Sequence, residues 1–548
     1  MTNDSQTPSE QLHSAIVEVV THSTSRAELR ALRDGVGDLY HFLRPHKKRI
    51  VTYGLLVTFV VGLFTVGAYY SYWSLIRMVD RSSIVMVEVE HAPPDLTTPW
   101  QRVDSLVGYG TGSIIQGRRI LTAAHIVADA AKITVTRADQ NEAFEAELVA
   151  ASHELDLAIL TVRDDRFFDG ATPLELKTLD HGNDELVAYG FPRGKLEYAT
   201  GWFKDAQRDA YVHSDLENLK YRVEAPIERG YSGGPVAWLG RIAGVIIERD
   251  KAGRYGNAVP AEVVRHFLED IEDGRVDGSP VLFGSWQPMQ NPQLRNRYGL
   301  TQNQTGALVK QVLKSDLDDA WLRAGDVLLA VDGCDVDNEG TIAVVPDSRV
   351  SFEYLIDRKQ VGDTVTVELV RDRRHMILDV PLSGLGKERM YLVRYQYDET
   401  PSYLVVGGFV FSRLTRNYSF DFDDPSIEWP TNQHLIGLSS KLKTPGETRN
   451  ELIVLVRLLP DSSTTGYDDC LGHVVTSIDG RRVADMKELA EALENPKGEY
   501  HRILLEPDSK EIIVSTALLG QSQQLILEKF DIPADRSLDL GIAISGSN

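Results

Sequence analysis

The sequence predicts a mainly β protein carrying α+β modules, set behind one membrane-spanning helix. Three observations predict it. An apolar run without a single charge occupies residues 50–76, short strands and glycine turns surround a serine at position 232, and a strand-turn module occurs twice in the C-terminal half. The chain has 548 residues, which calls for about three or four compact units. We divide it into a cytoplasmic N-terminal segment (1–49), a transmembrane helix (50–76), a strand-rich domain (77–275), two modules (276–390 and 391–520) and a tail (521–548). The net charge of −22 argues against nucleic-acid binding and against broad adhesion to anionic lipid, because both need a basic surface. Two cysteines, Cys334 and Cys470, are too few for a disulfide framework or a zinc site.

The first element is "IVTYGLLVTFVVGLFTVGAYYSYWSLI", Ile50 to Ile76. It exceeds the ~20 residues that span a bilayer, and Tyr69, Tyr70, Tyr72 and Trp73 stand where an interfacial aromatic belt lies. Forty-nine residues precede it, which speaks against a cleaved signal peptide. The flank "RPHKKR" (Arg44 to Arg49) outweighs Arg77 and Arg81 on the other side, so the N-terminus is expected in the cytoplasm and everything after Ile76 outside it. In a bacterium that places the protein in the inner membrane with its bulk in the periplasm.

Beyond the anchor, "SIVMVEVE" (83–90) alternates as a strand does. "GSII" and "RRILTA" flank a turn at Gln116-Gly117, and His125 follows at the start of a short helical turn. In "ASHELDLAILTV", Asp156 stands at the mouth of an apolar strand, where a carboxylate enters the interior only if it is paired. Ser232 lies in "ERGYSGGPV". A serine hydroxyl needs an adjacent imidazole to take its proton during attack, and a buried carboxylate sets the tautomer of that imidazole. Gly230 can aim its N–H, with that of Ser232, at a developing oxyanion. Each residue alone has a plain structural reading; together, in the order His, Asp, Ser, they read as a triad. The Gly230-Tyr231-Ser232-Gly233 spacing also fits the nucleophile elbow of α/β-hydrolases, which requires the histidine after the serine. His266, His375, His434, His473 and His501 do follow. The region before Ser232, however, lacks the strand–helix alternation of a doubly wound sheet.

"GTGSII…RRILTAAHIV", "DLAIL" and "GYSGGPV…GRIAGVI" resemble the HtrA/Deg family of chymotrypsin-fold proteases, and "YGNAVPAEVVRHFLEDI" resembles the strand and helix that close their protease domain. The resemblance implies a chymotrypsin-like double β-barrel with His125 as base, Asp156 as orienting acid, Ser232 as nucleophile, and an oxyanion hole at Gly230 and Ser232. It needs no metal or organic cofactor. The family usually has Asn where Tyr231 stands and Pro where Arg229 stands, both in the loop that forms the hole.

"AGDVLLAVDGCDV" (324–336) and "CLGHVVTSIDGRRV" (470–483) repeat one pattern, followed in each case by a segment expected to be helical ("SFEYLIDRK" and "MKELAEALEN") and a further strand. The pattern resembles two PDZ domains, which take the extended C-terminus of another polypeptide as an added strand. The expected carboxylate loops are Leu282-Phe283-Gly284-Ser285 in the first and Gly407-Gly408-Phe409 in the second. The second could equally hold an internal segment of its own oligomer. "ETPSYLVVGGFVFSRLTRNY" and "LILEKFDIPADRSLDL" resemble the plant-type Deg subgroup with a divergent second PDZ domain, whose members are soluble. The resemblance implies a homo-oligomer built on trimers, acting on unfolded or damaged polypeptides in protein quality control. The alternative is a PDZ-based binding or chaperone protein with a latent protease site. An aliphatic preference at P1 is expected from Val245, Ile246 and Ile247.

Overall fold

Two closed barrels carry the catalytic region. The computed structural model describes residues 78–179, 185–250, 253–282, 285–312, 321–345, 348–384, 395–418 and 449–541. The expected cytoplasmic segment and membrane helix (1–76) lie outside these, as do Phe283 and Gly284. Among the described residues no helix is long and apolar enough to cross a membrane.

The first barrel is built from β1 (Ile84–His91), β2 (Leu106–Ile115), β3 (Arg119–Thr122), β4 (Ala130–Arg137), β5 (Ala143–Ser152) and β6 (Leu157–Val162), closed in the order β1-β2-β3-β6-β5-β4. Alternating valines of β1 (Val85, Val87 and Val89) are fully buried, the period-2 pattern of a strand with one face in a core. The β2–β3 connection turns through Gly117 and Arg118 at positive φ, where the sequence expects its turn. The second barrel comprises β7 (Glu185–Gly190), β8 (Glu197–Ala210), β9 (Glu217–Glu224), β10 (Pro235–Trp238), β11 (Arg241–Arg249) and β12 (Gly256–Pro260), in the order β10-β11-β12-β9-β8-β7. Helix Ala261–Asp270 closes the domain, burying Val263, Val264 and Phe267 on one face.

The first module follows as β13 (Pro280–Val281), β14 (Ser285–Pro288), β15 (Ala307–Gln311), β16 (Val327–Val331), β17 (Cys334–Asp335), β18 (Thr341–Val345), β19 (Ser348–Ser351), β20 (Thr364–Arg371), β21 (Arg374–Pro381) and β22 (Ser383–Gly384). Its main sheet runs β14-β15-β16-β20-β21, with β17 folded onto β16. The second module has β23 (Tyr403–Val406), β24 (Phe409–Arg413), β25 (Ile453–Leu458), β26 (Val474–Ile478), β27 (Arg481–Arg482), β28 (Tyr500–Glu506) and β29 (Glu511–Ser515), ordered β23-β24-β25-β26-β28-β29 with β27 on β26. The internal repeat is therefore real at the level of pairing. β16–β17 and β26–β27 turn through Asp332-Gly333 and Asp479-Gly480, all four at positive φ, as a two-residue hairpin turn demands. Cys334 and Cys470 are free thiols, one in each module.

Three sequence expectations need correction. "SFEYLIDRK" forms only a 3-10 turn, Phe352–Leu355, capped by Ser351, because Phe352, Tyr354 and Ile356 are all drawn into the core. The boundary at 520 cuts through helix Thr516–Lys529, and the supposed tail belongs to the second module: Ile526 and Ile532 sit in its core, and Ser537 N–H donates to the Tyr403 carbonyl.

The third concerns Gly407-Gly408. Superposing the two strand orders matches β14 to β24, which leaves β23 as an extra strand on the edge of β24. In the first module that edge of β14 carries no strand among the described residues. Gly407 and Gly408, at φ 50° and 92°, are the hairpin turn joining β23 to β24. The Gly407 N–H donates to Gln523 Oε1 at 2.9 Å, the Gly407 carbonyl accepts from Ser463, and the Gly408 carbonyl accepts from Leu459 N–H at 2.8 Å. Phe409 is buried and paired with Val406. The edge expected to receive a foreign terminus is occupied by the protein's own β23, which is covered in turn by Asp535–Ser537.

Candidate active site at the barrel junction

Asp156 precedes β6 and sits at φ 53°, a left-handed conformation that Asp tolerates better than most residues. It is buried, and one carboxylate meets His125 at three points. Oδ2 lies 2.8 Å and Oδ1 3.1 Å from the ring Nδ1, while Oδ1 accepts the His125 backbone N–H at 2.8 Å. His125 lies in the short helix Ala124–Val127, directly after β3. Burial alone pushes the imidazole down, but the charge and hydrogen bond of Asp156 outweigh it and hold His125 above its ordinary value. Burial likewise pushes Asp156 up, and the His125 contact overrides it, so that the carboxyl is held below its usual range. The histidine ring keeps its Nδ1 toward the carboxylate, and its side chain is 26% exposed.

The serine loop is locked to the first barrel. The Ser232 carbonyl accepts from Thr111 N–H at 2.8 Å, and the Gly230 carbonyl accepts from Thr111 Oγ1 at 2.6 Å and Phe191 N–H at 3.0 Å. A Cβ on Gly233 would run into the Thr111 carbonyl and Thr122 Oγ1 and stand 3.0 Å from Ala123 N, so only glycine lets this loop approach the strand end that leads into His125. Glu228 to Tyr231 forms a turn closed by Tyr231 N–H to the Glu228 carbonyl, with Gly230 at φ 99°, the third-position conformation of a type II turn. Among the described residues the N–H groups of Gly230 and Ser232 have no protein acceptor.

Tyr231, which departs from the family pattern, does not cover the loop. It is 3% exposed and packs beneath Gly190, whose missing Cβ makes room for it. It shares an apolar cluster with Ile227, Val236 and Ile246. Arg229 is exposed. Of the three aliphatic residues expected to set P1 preference, only Ile246 belongs to this cluster; Val245 and Ile247 enter the other core. Ile246 holds the Gly233 N–H through its carbonyl at 2.7 Å, and a Cβ on Gly256 would lie 2.6 Å from Ile227 and 3.4 Å from Ile246. Ile227, Ile246 and Gly256 thus converge beside the serine loop.

Leu282 is buried, while Ser285 opens β14 in an exposed position beside Gln311. Several residues near the site carry no motif that would have marked them. Glu248, at the end of β11, accepts from Lys220 Nζ at 3.0 Å, from Asn257 Nδ2 at 2.8 Å and from Val212 N–H at 3.3 Å. His213, in the β8–β9 turn, stands with its ring 6.1 Å from that of His125. Arg208 on β8 forms a bidentate pair with Asp357 of the first module at 2.8 and 3.0 Å. Only an unusual carboxylate or histidine in a turn hints at these in the sequence, because the partners are remote along the chain.

Two closed barrels with a glycine-rich serine loop at their junction define a chymotrypsin-like serine endopeptidase. A trypsin-like peptidase domain model matches residues 110–239, and a PDZ domain model matches residues 393–539. The protein named protease Do-like 3, mitochondrial, of Arabidopsis thaliana is 30% identical over 468 residues, covering 84% of this chain and 80% of that one. Protease Do-like 4, mitochondrial, of the same plant is 29% identical over 469 residues, covering 84% and 85%. Among solved structures, the HtrA-type protease AlgW with decapeptide is 19% identical with a TM-score of 0.43, covering 57% of this chain and 99% of that one. The protein belongs to the Do-like (HtrA/Deg) family of serine proteases.

Proposed function

We propose that this serine endopeptidase uses Ser232, His125 and Asp156 as its triad and acts on unfolded polypeptide outside the cytoplasm, tethered by the helix at 50–76. The observation that carries the reading is the three-point hold of Asp156 on His125, next to a serine loop pinned on the same barrel junction. His125 takes the Ser232 hydroxyl proton as the oxygen attacks the substrate carbonyl, and the C–O bond forms as the carbonyl π electrons move onto oxygen. The unengaged N–H groups of Gly230 and Ser232 receive that oxyanion. His125 then passes its proton to the leaving amine, and water attacks the acyl-enzyme with His125 again as base. Ile227, Ile246 and Gly256 favour an aliphatic side chain at P1.

The open edge of β14 supports capture of polypeptide ends by the first module, with the segment around Leu282 and Ser285 as its mouth. The anchor rests on the charge-free run Ile50–Ile76, and its direction on the basic flank Arg44–Arg49. Assembly into trimers completes the reading.

The test uses the full-length protein in membranes. Cleavage of a destabilised protein should be abolished by Ser232→Ala, the protease should sediment with membranes after carbonate washing, and external protease should digest everything beyond the anchor. Cleavage surviving Ser232→Ala would overturn the triad, and release by carbonate would overturn the anchor.

A further inference from the structure

The second module reaches back to the catalytic dyad through two residues at its entrance. Asp398 and Asp129 exchange bonds: Asp398 Oδ1 accepts the Asp129 N–H at 2.6 Å, and Asp129 Oδ1 accepts the Asp398 N–H at 2.8 Å. The other oxygen of Asp398 lies 2.8 Å from His153 Nε2, and His153 Nδ1 lies 2.9 Å from His213 Nε2. Tyr397 stacks on His213 with ring centroids 4.0 Å apart and planes at 22°, and its hydroxyl donates to the His213 carbonyl at 2.8 Å. His153 lies three residues before Asp156, and His213 faces His125 at 6.1 Å. One carboxylate and one phenol of the second module thus fix two histidines beside the dyad.

The grip is not a single surface contact. Leu96 and Trp100, from the β1–β2 loop, pack into the core of the second module, and Tyr418 donates to the Leu96 carbonyl at 2.9 Å. Arg416 pairs with Asp215, two residues from His213. The module's own binding edge is filled by β23, so its described contacts point inward to the protease rather than out to a ligand.

We propose that Tyr397 and Asp398 are positioning residues for catalysis, holding His153 and His213 in a hydrogen-bonded chain that keeps a neutral imidazole beside Asp156 and His125. The inference rests on the triad reading above. The chemistry follows from one shared proton. Asp398 accepts from His153 Nε2–H, and His153 Nδ1 and His213 Nε2 share the one proton that lies between them, which leaves His213 a neutral ring in the chain. Burial pushes His213 down to about 4, against the opposing pull of Asp156, which agrees with that assignment. The groups facing His213 are His125, His153, Asp156, Tyr397 and Asp398, with Asp129, Asp215, Arg416 and Glu248 around them. A further proton on His213 would set a second cation beside Asp156, drawing the carboxylate's field away from the imidazolium that forms on His125.

The test compares the full-length protein with its Asp398→Asn, Tyr397→Phe and Asp398→Asn/His213→Asn variants. The readouts are kcat, KM and the pH profile of kcat/KM on one peptide substrate, with circular dichroism to establish folding. Asp398→Asn should lower kcat about tenfold at little change in KM, the scale of a modest misplacement. Its acid limb should stay a one-proton limb, because burial holds His213 down and the lost Asp398 charge had been raising it, so the effect falls on kcat and adds no second titration. Tyr397→Phe should show a smaller loss in the same direction, and His213→Asn on the Asp398→Asn background should add little further loss, as two members of one chain do. A folded Asp398→Asn or Tyr397→Phe protein with unchanged kcat overturns the proposal, and so does a double variant whose loss is the full product of two independent losses. If Ser232→Ala retains cleavage the triad fails with it; if Ser232→Ala is inert while both clasp variants behave as the parent, the clasp alone fails.

Discussion

Asp156 holds His125 by side chain and backbone at once, each at 2.8 Å. The double hold sets the ring's plane as well as its tautomer, since Nδ1 cannot leave the carboxylate without the short helix Ala124–Val127 moving too.

Asp156→Asn keeps the shape and inverts the hydrogen-bonding demand on Nδ1. We expect a loss of about 10⁴-fold in kcat, the size this change has in the trypsin-type triad, with KM little altered. Steady-state kinetics on a peptide substrate check it.

The acid limb of kcat/KM reports the free enzyme's base, which must be neutral to accept the serine proton. Asp156 raises His125, so the limb should lie above the ordinary histidine value of about 6.5. Stability moves the opposite way: a group whose folded pKa is raised stabilises most below its unfolded value and loses that contribution as pH rises through the folded one. His213, pushed down to about 4, has the reverse sign, and its contribution is lost as pH falls from about 6.5 to 4. Activity profiles and thermal melts over pH 4 to 9 on the same preparation would separate the two.

Arg208 and Asp357 join the second barrel to the first module with side chains 16% and 5% exposed. Arg208→Met strands a buried carboxylate and should cost about 3–5 kcal/mol, whereas Arg208→Met with Asp357→Leu should recover most of it. Chemical denaturation of both variants measures the difference. Equal destabilisation by the single and double changes would contradict the ion-pair account.

Gly256→Ala intrudes on Ile227 and Ile246. Cleavage after leucine or isoleucine should fall relative to cleavage after alanine by about 10- to 200-fold, the discrimination that small changes in an apolar pocket achieve. A library profile left unchanged would remove these residues from the P1 site.

What was legible in the sequence were residues whose meaning is local. His125 follows a strand end, Asp156 precedes an apolar strand and Ser232 sits among glycines, so each announces its context. The double barrel was legible for the same reason, through short alternating strands and turn residues. The repeat was legible because Asp332-Gly333 and Asp479-Gly480 mark the same hairpin twice. What stayed hidden depends on side-chain direction or on remote partners. Tyr231 reads as a loop residue until Gly190 is seen to make room for it. "VVGGFV" reads as a binding loop because a hairpin turn and a carboxylate loop share the same glycines. His153, His213 and Asp398 are separated by 60 and 245 residues, and no spacing rule joins them.

The most direct test of the central claim is fluorophosphonate labelling of the full-length protein, mapped by peptide mass. The account predicts one stoichiometric adduct on Ser232, lost in Ser232→Ala and slowed by orders of magnitude in Asp156→Asn. An adduct on another residue, or equal labelling rates with and without the Asp156 carboxylate, would contradict it.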